Sequence, residues 1–343
     1  MRRSRVAHFA RRAGIMRWLR VALLLAFIGG PFSAAFAQET AEQYPSRSVT
    51  FVVPFAPGGV TGLFARVLGQ KLEQRLGKPF VVEHRPGGGG VTAATAVARA
   101  TPDGYTIMMA SSTVLAINFT VRKNLPYDPR KDLTPIALLA RVPFVLLVNP
   151  ELPIKSVDDL VKYAKANPSK VSYGTPGPGT FHHLNAEMFK SLFGLNLVHV
   201  PYKGSAGIIP ALLSGEIDFT IAAENSLLPH YKSGKLRPIA IAASKRTAIL
   251  PDVPTIAEAG PLPGYAVDVW LGVMAPAGTP RPIVDRLNAE INKIVRDPQI
   301  VKERMNTVGL EAVGSTPEQL LETMKSELAK YTKLARDANI QPE

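Results

Sequence analysis

The chain has 343 residues, no cysteine, and 40 lysine and arginine residues against 27 aspartate and glutamate residues, a net charge of +13. Seven of the arginines lie before residue 38, so the remainder has 33 basic and 27 acidic residues and a net charge of +6, which does not favour nucleic acid as a partner. The lack of cysteine excludes disulfides, thiol catalysis and a lipid-modified N-terminal cysteine.

The N-terminal segment has the pattern of an export signal. Its arginines precede an apolar run at 21–28, too short to span a bilayer, and an A-x-A cleavage pattern at 35–37. We therefore expect residues 1–37 to be a signal peptide that is cleaved after Ala37, and a periplasmic mature protein. A retained signal anchor is the alternative, and the arginine pair at 11–12 leaves Sec or twin-arginine export open.

Apolar strand-like runs then alternate with helix-like runs. The first set predicts strands at 49–55, 80–83 and 105–110, with helices at 61–76 and about 91–100. The second set predicts strands at 144–148, 171–173, 197–200, 218–222 and 237–242, with helices at about 156–166 and 181–193. The end predicts a strand at 267–275 and helices at about 279–296 and from 316 onward.

This alternation predicts an α/β protein with mostly parallel sheets and helices on both faces. About 300 residues suffice for two domains, and no low-complexity linker separates them. Candidate crossings lie at 141–143 and 263–265. We expect two doubly wound lobes joined by two crossover strands, with lobe 1 at 44–141 plus 265–343 and lobe 2 at 142–264.

Three glycine-rich turns each lie between a strand and a helix: turn 1 at 56–61, turn 2 at 85–90 and turn 3 at 174–180. Glycine lets the backbone approach a ligand, and the helix that follows directs free N–H groups and a partial positive charge at it. One such turn alone is more often a tight connection; three together predict a cradle for small anions built from main chain. Thr61 and Thr180 stand where helices begin, as caps, as ligand contacts or as both.

The histidines are weaker candidates. His182 and His183 point about 100° apart on a helix, so they do not readily share a metal ion. His183 is either a ligand hydrogen-bond donor or a structural residue, and we expect His84 and His199 to be structural.

Two further candidates follow strands of the second set. Tyr202 is either a ligand contact or a packed side chain, and Lys203 is more often a solvated loop residue. Glu224 would accept a hydrogen bond from a ligand amine or hydroxyl, or balance a neighbouring charge, and Asn225 is either a ligand contact or a helix cap.

The sequence lacks the motifs of several common enzyme classes and of metal sites. The stretch 204–207 lacks the spacing of a nucleophile elbow, 234–236 is not a P-loop, and the glycines of turn 3 do not match the dinucleotide fingerprint. No histidine or aspartate pattern typical of a metal site is present, so we expect no metal and no cofactor. A catalytic acid–base pair stays open.

Several motifs resemble a known family, the Bug solute receptors of tripartite tricarboxylate transporters, from residue 44 almost to the C-terminus. They are VPFAPGG at 53–59, EHRPGGGG at 83–90, PDGY at 102–105, LPYDP at 125–129, HVPYKG at 199–204, LPDVPT at 250–255 and APAGTP at 275–280.

The resemblance implies a type II periplasmic binding-protein fold whose interlobe cleft holds a small carboxylate, partly through water. It also implies membrane permease subunits as partners, for a monomer that captures a di-, tri- or aromatic carboxylate. A carboxylate-sensing receptor, or an enzyme on the same scaffold, is the alternative. The expected ligand-binding residues are Phe55, Pro57, Gly58, Gly59, Val60, Thr61, Ser111, Ser112, Gly177, Gly179, Thr180, His183, Tyr202, Glu224 and Asn225.

Two positions depart from the family pattern. Family members usually carry aspartate where this chain has Gly62, and often Asp-Asn where it has Glu224 and Asn225. An acid that would recognise an amine is therefore missing after Thr61. We expect a ligand without an ammonium group near turn 1.

Overall fold

A computed structural model of the protein describes residues 42–57, 59–177, 180–202, 207–224, 230, 233–260, 265, 267 and 269–337. Residues 41–343 form one compact unit. The expected signal peptide with its cleavage position, and residues 263 and 264 of the second expected crossing, lie outside the described residues. No helix in the described part combines the length and the apolar character that crossing a bilayer requires.

The described strands form two sheets. The first sheet has the order β11-β4-β10-β3-β1-β2 and consists of β1 (Val49–Val53), β2 (Phe80–His84), β3 (Thr106–Ser111), β4 (Leu133–Val142), β10 (Val269–Pro276) and β11 (Glu311–Ala312). The second sheet has the order β7-β6-β8-β5-β9 and consists of β5 (Phe144–Val148), β6 (Ser172–Thr175), β7 (Val198–Pro201), β8 (Phe219–Ala223) and β9 (Arg237–Ile241). We call the parts of the chain that carry these sheets lobe 1 and lobe 2.

Helices connect and cover the strands. They are α1 (Val60–Leu76), α2 (Val91–Ala98), α3 (Asn118–Val121), α4 (Val157–Ala166), α5 (Phe181–Phe193), α6 (Ile208–Ser214), α7 (Ile256–Ala259), α8 (Arg281–Val295), α9 (Pro298–Ile300) and α10 (Pro317–Asp337). Short 3₁₀ turns lie at Gly88–Gly90 and Asn306–Val308, and π-helical turns at Thr113–Ile117 and Val301–Met305. Helices α1 and α8 bury leucine and isoleucine side chains on one face of the first sheet, while α2 and α10 pack with Trp270 on the other.

The sheets are mixed, whereas the sequence predicted mostly parallel ones. β1, β2 and β3 are parallel, as are β6, β7 and β8. β10 runs antiparallel to β3 and β4, and β5 runs antiparallel to β8 and β9. The reason is the route of the chain: β5 and β10 each enter their sheet from the other sheet, rather than through a strand–helix–strand unit within one sheet that would make them parallel to their neighbours.

The sequence reading missed β4, the longest strand of the first sheet. Pro135 lies within it, and proline argues against a central strand because it cannot donate to the ladder. In the structure Pro135 lies opposite Met274, next to a register shift between Val273 and Met274, so the irregularity accommodates the missing N–H group.

The polypeptide passes from the first sheet to the second at Pro143, between β4 and β5. It returns after β9: the N–H of Val267 donates to Ala242 O (3.2 Å) in lobe 2, and Val269 already pairs with Val142 in lobe 1. The chain therefore crosses between the sheets at two adjacent places.

Turn 2 provides a test of the fold. Gly90 has φ +93°, and a Cβ atom there would lie 2.6 Å from Val114 Cγ2 and 3.1 Å from Pro54 Cβ. We predict that Gly90→Ala lowers the free energy of unfolding by about 2–4 kcal/mol, because it adds left-handed strain to a steric clash. Urea unfolding measures the change.

Gly59→Ala is the matched control. Gly59 has φ −79°, a conformation open to any residue, and nothing lies within 4 Å of a Cβ built there. We expect its free energy of unfolding to stay within about 0.5 kcal/mol of the parent value. Equal effects of the two substitutions would contradict this account of turn 2.

Candidate functional site

The first sheet gathers turn 1, turn 2 and two serines at one edge. Because β1, β2 and β3 are parallel, their carboxyl ends lie at the same edge. Turn 1 follows β1, turn 2 follows β2, and Ser111 ends β3, with Ser112 directly after it.

The second sheet gathers turn 3 and the remaining candidates in the same way. β6, β7 and β8 are parallel, so their carboxyl ends also share an edge. Turn 3 follows β6, Tyr202 follows β7 and Glu224 follows β8.

These two edges face each other. Val142, at the end of β4, pairs with Val269 at the edge of lobe 1, and Phe144 pairs with Ala223 at the edge of lobe 2. Only Pro143 separates Val142 from Phe144, so the edges meet at the crossing. Ligands of open α/β sheets bind outside the carboxyl ends of strands. We therefore take the interlobe cleft between these edges as the candidate site.

Turn 1 leads into α1 without a side-chain cap. Gly59 is the N-cap residue and the first helical bond runs from Leu63 N to Gly59 O (3.1 Å), so the N–H groups before Leu63 have no acceptor within the helix. Pro57 and Gly59 are exposed and Thr61 is buried. Gly58 lies outside the described residues.

Buried polar groups without partners lie at the end of β3. Ser111 is 2% exposed and Ser112 is 0% exposed, and neither Oγ has a hydrogen-bond partner within the described part of the chain. Leu271 pairs with Ser111, and in the same strand the Nε1 of the buried Trp270 likewise has no partner among the described residues. Buried donors of this kind normally have a partner, which marks this point as a place for a ligand or water.

Turn 3 is organised by hydrogen bonds of two threonines. Thr180 caps α5: its Oγ1 accepts from His183 N (3.4 Å) and donates to Gly177 O (2.7 Å). Gly177, at φ +134°, donates its N–H to Thr175 Oγ1 (3.2 Å). Gly179 lies outside the described residues.

His183 and Tyr202 both have partners inside lobe 2. The His183 ring stacks on His199, with ring centroids 4.3 Å apart. The Tyr202 hydroxyl donates to Glu216 Oε1 (2.7 Å), and burial together with this carboxylate raises the pKa of Tyr202 to about 12. Lys203 and Asn225 lie outside the described residues.

Glu224 reaches the cleft edge with its backbone, but its carboxylate faces a separate cavity. It accepts a hydrogen bond from the Thr247 hydroxyl and is 2% exposed. The cavity, of about 270 Å³, lies between the lobes, and none of the described turn residues lines it. Burial raises the pKa of Glu224, and nearby Glu311, which pairs with Lys245, raises it further.

Helix charges favour an anion at the cleft. The helices that follow the three glycine turns, α1, α2 and α5, carry no acidic residue in their first turn. They share this with α3, α6, α8 and α9, whereas α4, α7 and α10 each have one or two carboxylates there. The positive N-terminal ends at the cleft edges are therefore not neutralised by their own side chains.

Metal ligands are not gathered in the described part of the chain: no group of three or more histidine, aspartate or glutamate side chains is placed to share an ion. His182 is half-buried, and burial lowers its pKa to about 4, so its imidazole is neutral at pH 7.

Sequence reasoning missed two features of the site. The sequence did not indicate a role for Trp270, because a tryptophan in an apolar strand is normally interpreted as a core residue. His84 and His199, expected to be structural, contact turn 1 and turn 3. Both reach the turns from neighbouring strands, which no local spacing in the sequence reveals.

The chain matches a known protein family over most of its length. Residues 64–340 match the model of the tripartite tricarboxylate transporter family receptor. The chain belongs to this family. It is similar to protein BugT of Bordetella pertussis, with 37% identity over 317 residues that cover 92% of this chain and 97% of BugT.

Solved structures of similar receptors share the fold. Rpa4515 of R. palustris, solved with adipate, is 37% identical and has a TM-score of 0.79 over 88% of this chain and 100% of its own. MatC of Rhodopseudomonas palustris, solved with bound malate, is 32% identical and has a TM-score of 0.74 over 85% and 99%. The two-lobed α/β periplasmic binding-protein fold expected from the sequence is confirmed for this receptor.

Glu224 predicts a pH-dependent stability. Because its folded-state pKa is raised, the folded protein binds more protons than the unfolded chain between the ordinary glutamate pKa and the raised one, and stability falls as pH rises through that window. We predict that Glu224→Gln, which retains an acceptor for Thr247, raises the melting temperature over the parent more at pH 8 than at pH 4.5.

Exposed Glu151→Gln is the control, since it removes the same charge without burial. Melting curves at the two pH values measure the effect. If the advantage of Glu224→Gln is the same at both pH values, the raised pKa of Glu224 is wrong.

Proposed function

We propose that this receptor is a periplasmic solute-binding protein that captures a small carboxylate in the interlobe cleft and presents it to the membrane permease subunits of a tripartite tricarboxylate transporter. One observation supports this most: two helices, α1 and α5, begin at facing edges with no acid in their first turns. Relatives of known structure carry adipate and malate.

Backbone donors would supply most of the binding. The carboxylate oxygens would accept hydrogen bonds from N–H groups of turn 1 and turn 3, and from the hydroxyls of Ser111 and Ser112, which have no partner among the described residues. Charge-assisted bonds of this kind strengthen when a closing cleft excludes water. The lobes would close by hinge motion at the crossings.

The other expected contacts complete the proposed set. Phe55, Pro57, Val60 and Thr61 would contact the ligand from lobe 1. His183, Tyr202 and Glu224, with Gly58, Gly179 and Asn225 from outside the described residues, complete the proposed set. Tyr202 and Glu224 would have to exchange Glu216 and Thr247 for the ligand.

The ligand we propose carries no ammonium group near turn 1. Gly62 supplies no carboxylate there, and the first turn of α1 has none. A plain dicarboxylate or an aromatic carboxylate fits this environment. Tight binding of aspartate or glutamate in calorimetry would refute this choice of ligand and leave the carboxylate site itself intact.

The remaining proposals concern location and organisation. We propose that residues 1–37 direct export and are removed after Ala37, and that the mature chain acts as a monomer. Lobe 1 would comprise 44–141 plus 265–343, and lobe 2 would comprise 142–264, in agreement with the strands of the two sheets. The bound carboxylate would leave chemically unchanged.

A thermal-shift screen of mono-, di-, tri- and aromatic carboxylates tests the function. A ligand that binds only the folded state raises the melting temperature, by an amount that grows with its concentration. We expect at least one dicarboxylate or aromatic acid to do so and to be recovered intact after incubation. No shift with any carboxylate at millimolar concentration, or a new product, would contradict the proposal.

Thr180 tests the contribution of turn 3. Its hydroxyl fixes Gly177 and caps α5, so Thr180→Val removes both bonds while keeping the shape of the side chain. We predict about a tenfold higher Kd for the carboxylate found in the screen, and a stability loss of about 1 kcal/mol from the lost cap. Calorimetry and urea unfolding measure the two effects.

Thr180→Ser is the matched control, because it keeps the hydroxyl. Its Kd is expected within about threefold of the parent value. A Val variant that binds as tightly as the Ser variant would show that this hydroxyl does not matter for binding.

A further inference from the structure

In lobe 1, His84 touches both sides of turn 1. It is the last residue of β2 and pairs with Val53, the last residue of β1. Its Nδ1 lies 2.8 Å from Phe55 O, and because a carbonyl oxygen only accepts, Nδ1–H is the donor. On the helix side, the ring lies against Gly62, where a Cβ atom would come within 2.7 Å of His84 Cε1.

Gly62 therefore makes room for the imidazole. A Cβ atom at this position would require the ring to shift, and the Nδ1 of this ring holds the carbonyl of Phe55 immediately before turn 1. The absence of a side chain at position 62 and the presence of His84 are parts of one arrangement.

In lobe 2, His199 touches both sides of turn 3. It lies in β7 and pairs with Tyr173 in β6. Its Nε2 is 2.7 Å from Thr175 Oγ1, which in turn accepts from the N–H of Gly177 (3.2 Å). On the helix side, its ring stacks on His183 at 4.3 Å. Burial, then the neighbouring His183, lowers the pKa of His199, so the ring is neutral at pH 7.

The two arrangements are similar, although His84 pairs with the last residue of β1 and His199 pairs two residues before the end of β6. Each histidine lies on the parallel strand beside the strand that leads into the turn. Each makes one hydrogen bond on the strand side of the turn. Each also contacts the third residue of the following helix, which is Gly62 in α1 and His183 in α5. The direction of the first N–H groups of each helix depends on the distance between the end of the preceding strand and the start of the helix. A histidine ring that packs between the strand end and the helix start fixes this distance.

We infer that His84 and His199 are equivalent positioning residues, which hold turn 1 and turn 3 in the conformation that binds a carboxylate. The inference rests on the proposed function for its ligand. Neither ring has to touch the carboxylate: each acts through the turn, His84 through Phe55 and His199 through Thr175.

Substitution by asparagine or glutamine distinguishes a positioning role, which needs the hydrogen bond, from a role in which the ring only fills space. The test is possible because His84 bonds through Nδ1 and His199 through Nε2. Asparagine places an N–H donor near the position of Nδ1, and glutamine places one near Nε2. His84→Asn and His199→Gln therefore keep the hydrogen bond, whereas His84→Gln and His199→Asn misplace it. Each position supplies its own matched control.

Calorimetry with adipate as the probe tests the crossed pattern. We expect His84→Gln and His199→Asn each to raise the Kd about tenfold, and His84→Asn and His199→Gln to stay within about threefold of the parent value. Circular dichroism confirms that each variant is folded. Asparagine and glutamine variants that behave alike at either position would overturn the inference.

Hydrogen exchange of the ligand-free protein separates this inference from the proposed function. The N–H of Gly177 should exchange faster in His199→Asn than in the parent, and at the parent rate in His199→Gln. If adipate fails to bind the parent protein, the function proposed for this probe fails, while the exchange pattern still decides whether His199 holds the turn. Unchanged exchange in His199→Asn would refute its positioning role.

Gly62→Ala is a second test of the positioning role of His84. The new methyl group should push the ring away and raise the Kd for adipate several-fold in the parent. In the His84→Asn background, where the shorter side chain leaves space, the same substitution should have little effect. An equal effect in both backgrounds would show that Gly62 acts independently of His84.

Discussion

Strand direction around one crossing determines where every functional element of this receptor lies. In each lobe three parallel strands end at the edge where the chain changes sheet, so the turns that follow them face each other. Had β5 entered the second sheet parallel to β8, its start would lie at the far edge, and turn 3 could not oppose turn 1. The mixed sheets are thus the condition for having a cleft between two sets of helix N-termini.

Backbone groups and side chains have different roles at the cleft. Backbone N–H groups of α1 and α5 would face the proposed ligand, and the first turns of these helices carry no acid. Side chains such as Thr175, Thr180 and the two histidines hold the turns in place. This division would suit the proposed role, in which a carboxylate is released unchanged, because peptide groups bind an anion without acting as a nucleophile or a general acid near neutral pH.

Much of this was accessible from the sequence, and the limits have physical causes. The strand–turn–helix order and the three glycine turns are local patterns, and the resemblance carried by motifs such as VPFAPGG at 53–59 gave the two-lobed fold. β4 was missed because Pro135 interrupts its pattern. β5 and β10 were predicted as strands, but their antiparallel direction was not, because strand direction is set by distant contacts. The partners of Glu224 and of His199 depend on residues 23 and 24 positions away along the chain, which no local spacing encodes.

The single residue between β4 and β5 limits how the two halves move. Val142 pairs with a strand of lobe 1 and Phe144 with a strand of lobe 2, so Pro143 alone connects the two sheets at this crossing. A linker of one residue restricts translation of one lobe against the other and leaves rotation about the crossing. Under the proposed function, a longer carboxylate would be accommodated by a wider angle between the lobes. The length of the captured molecule would thus be converted into the tilt of one half against the other, and a membrane partner that senses this tilt would distinguish a full receptor from an empty one.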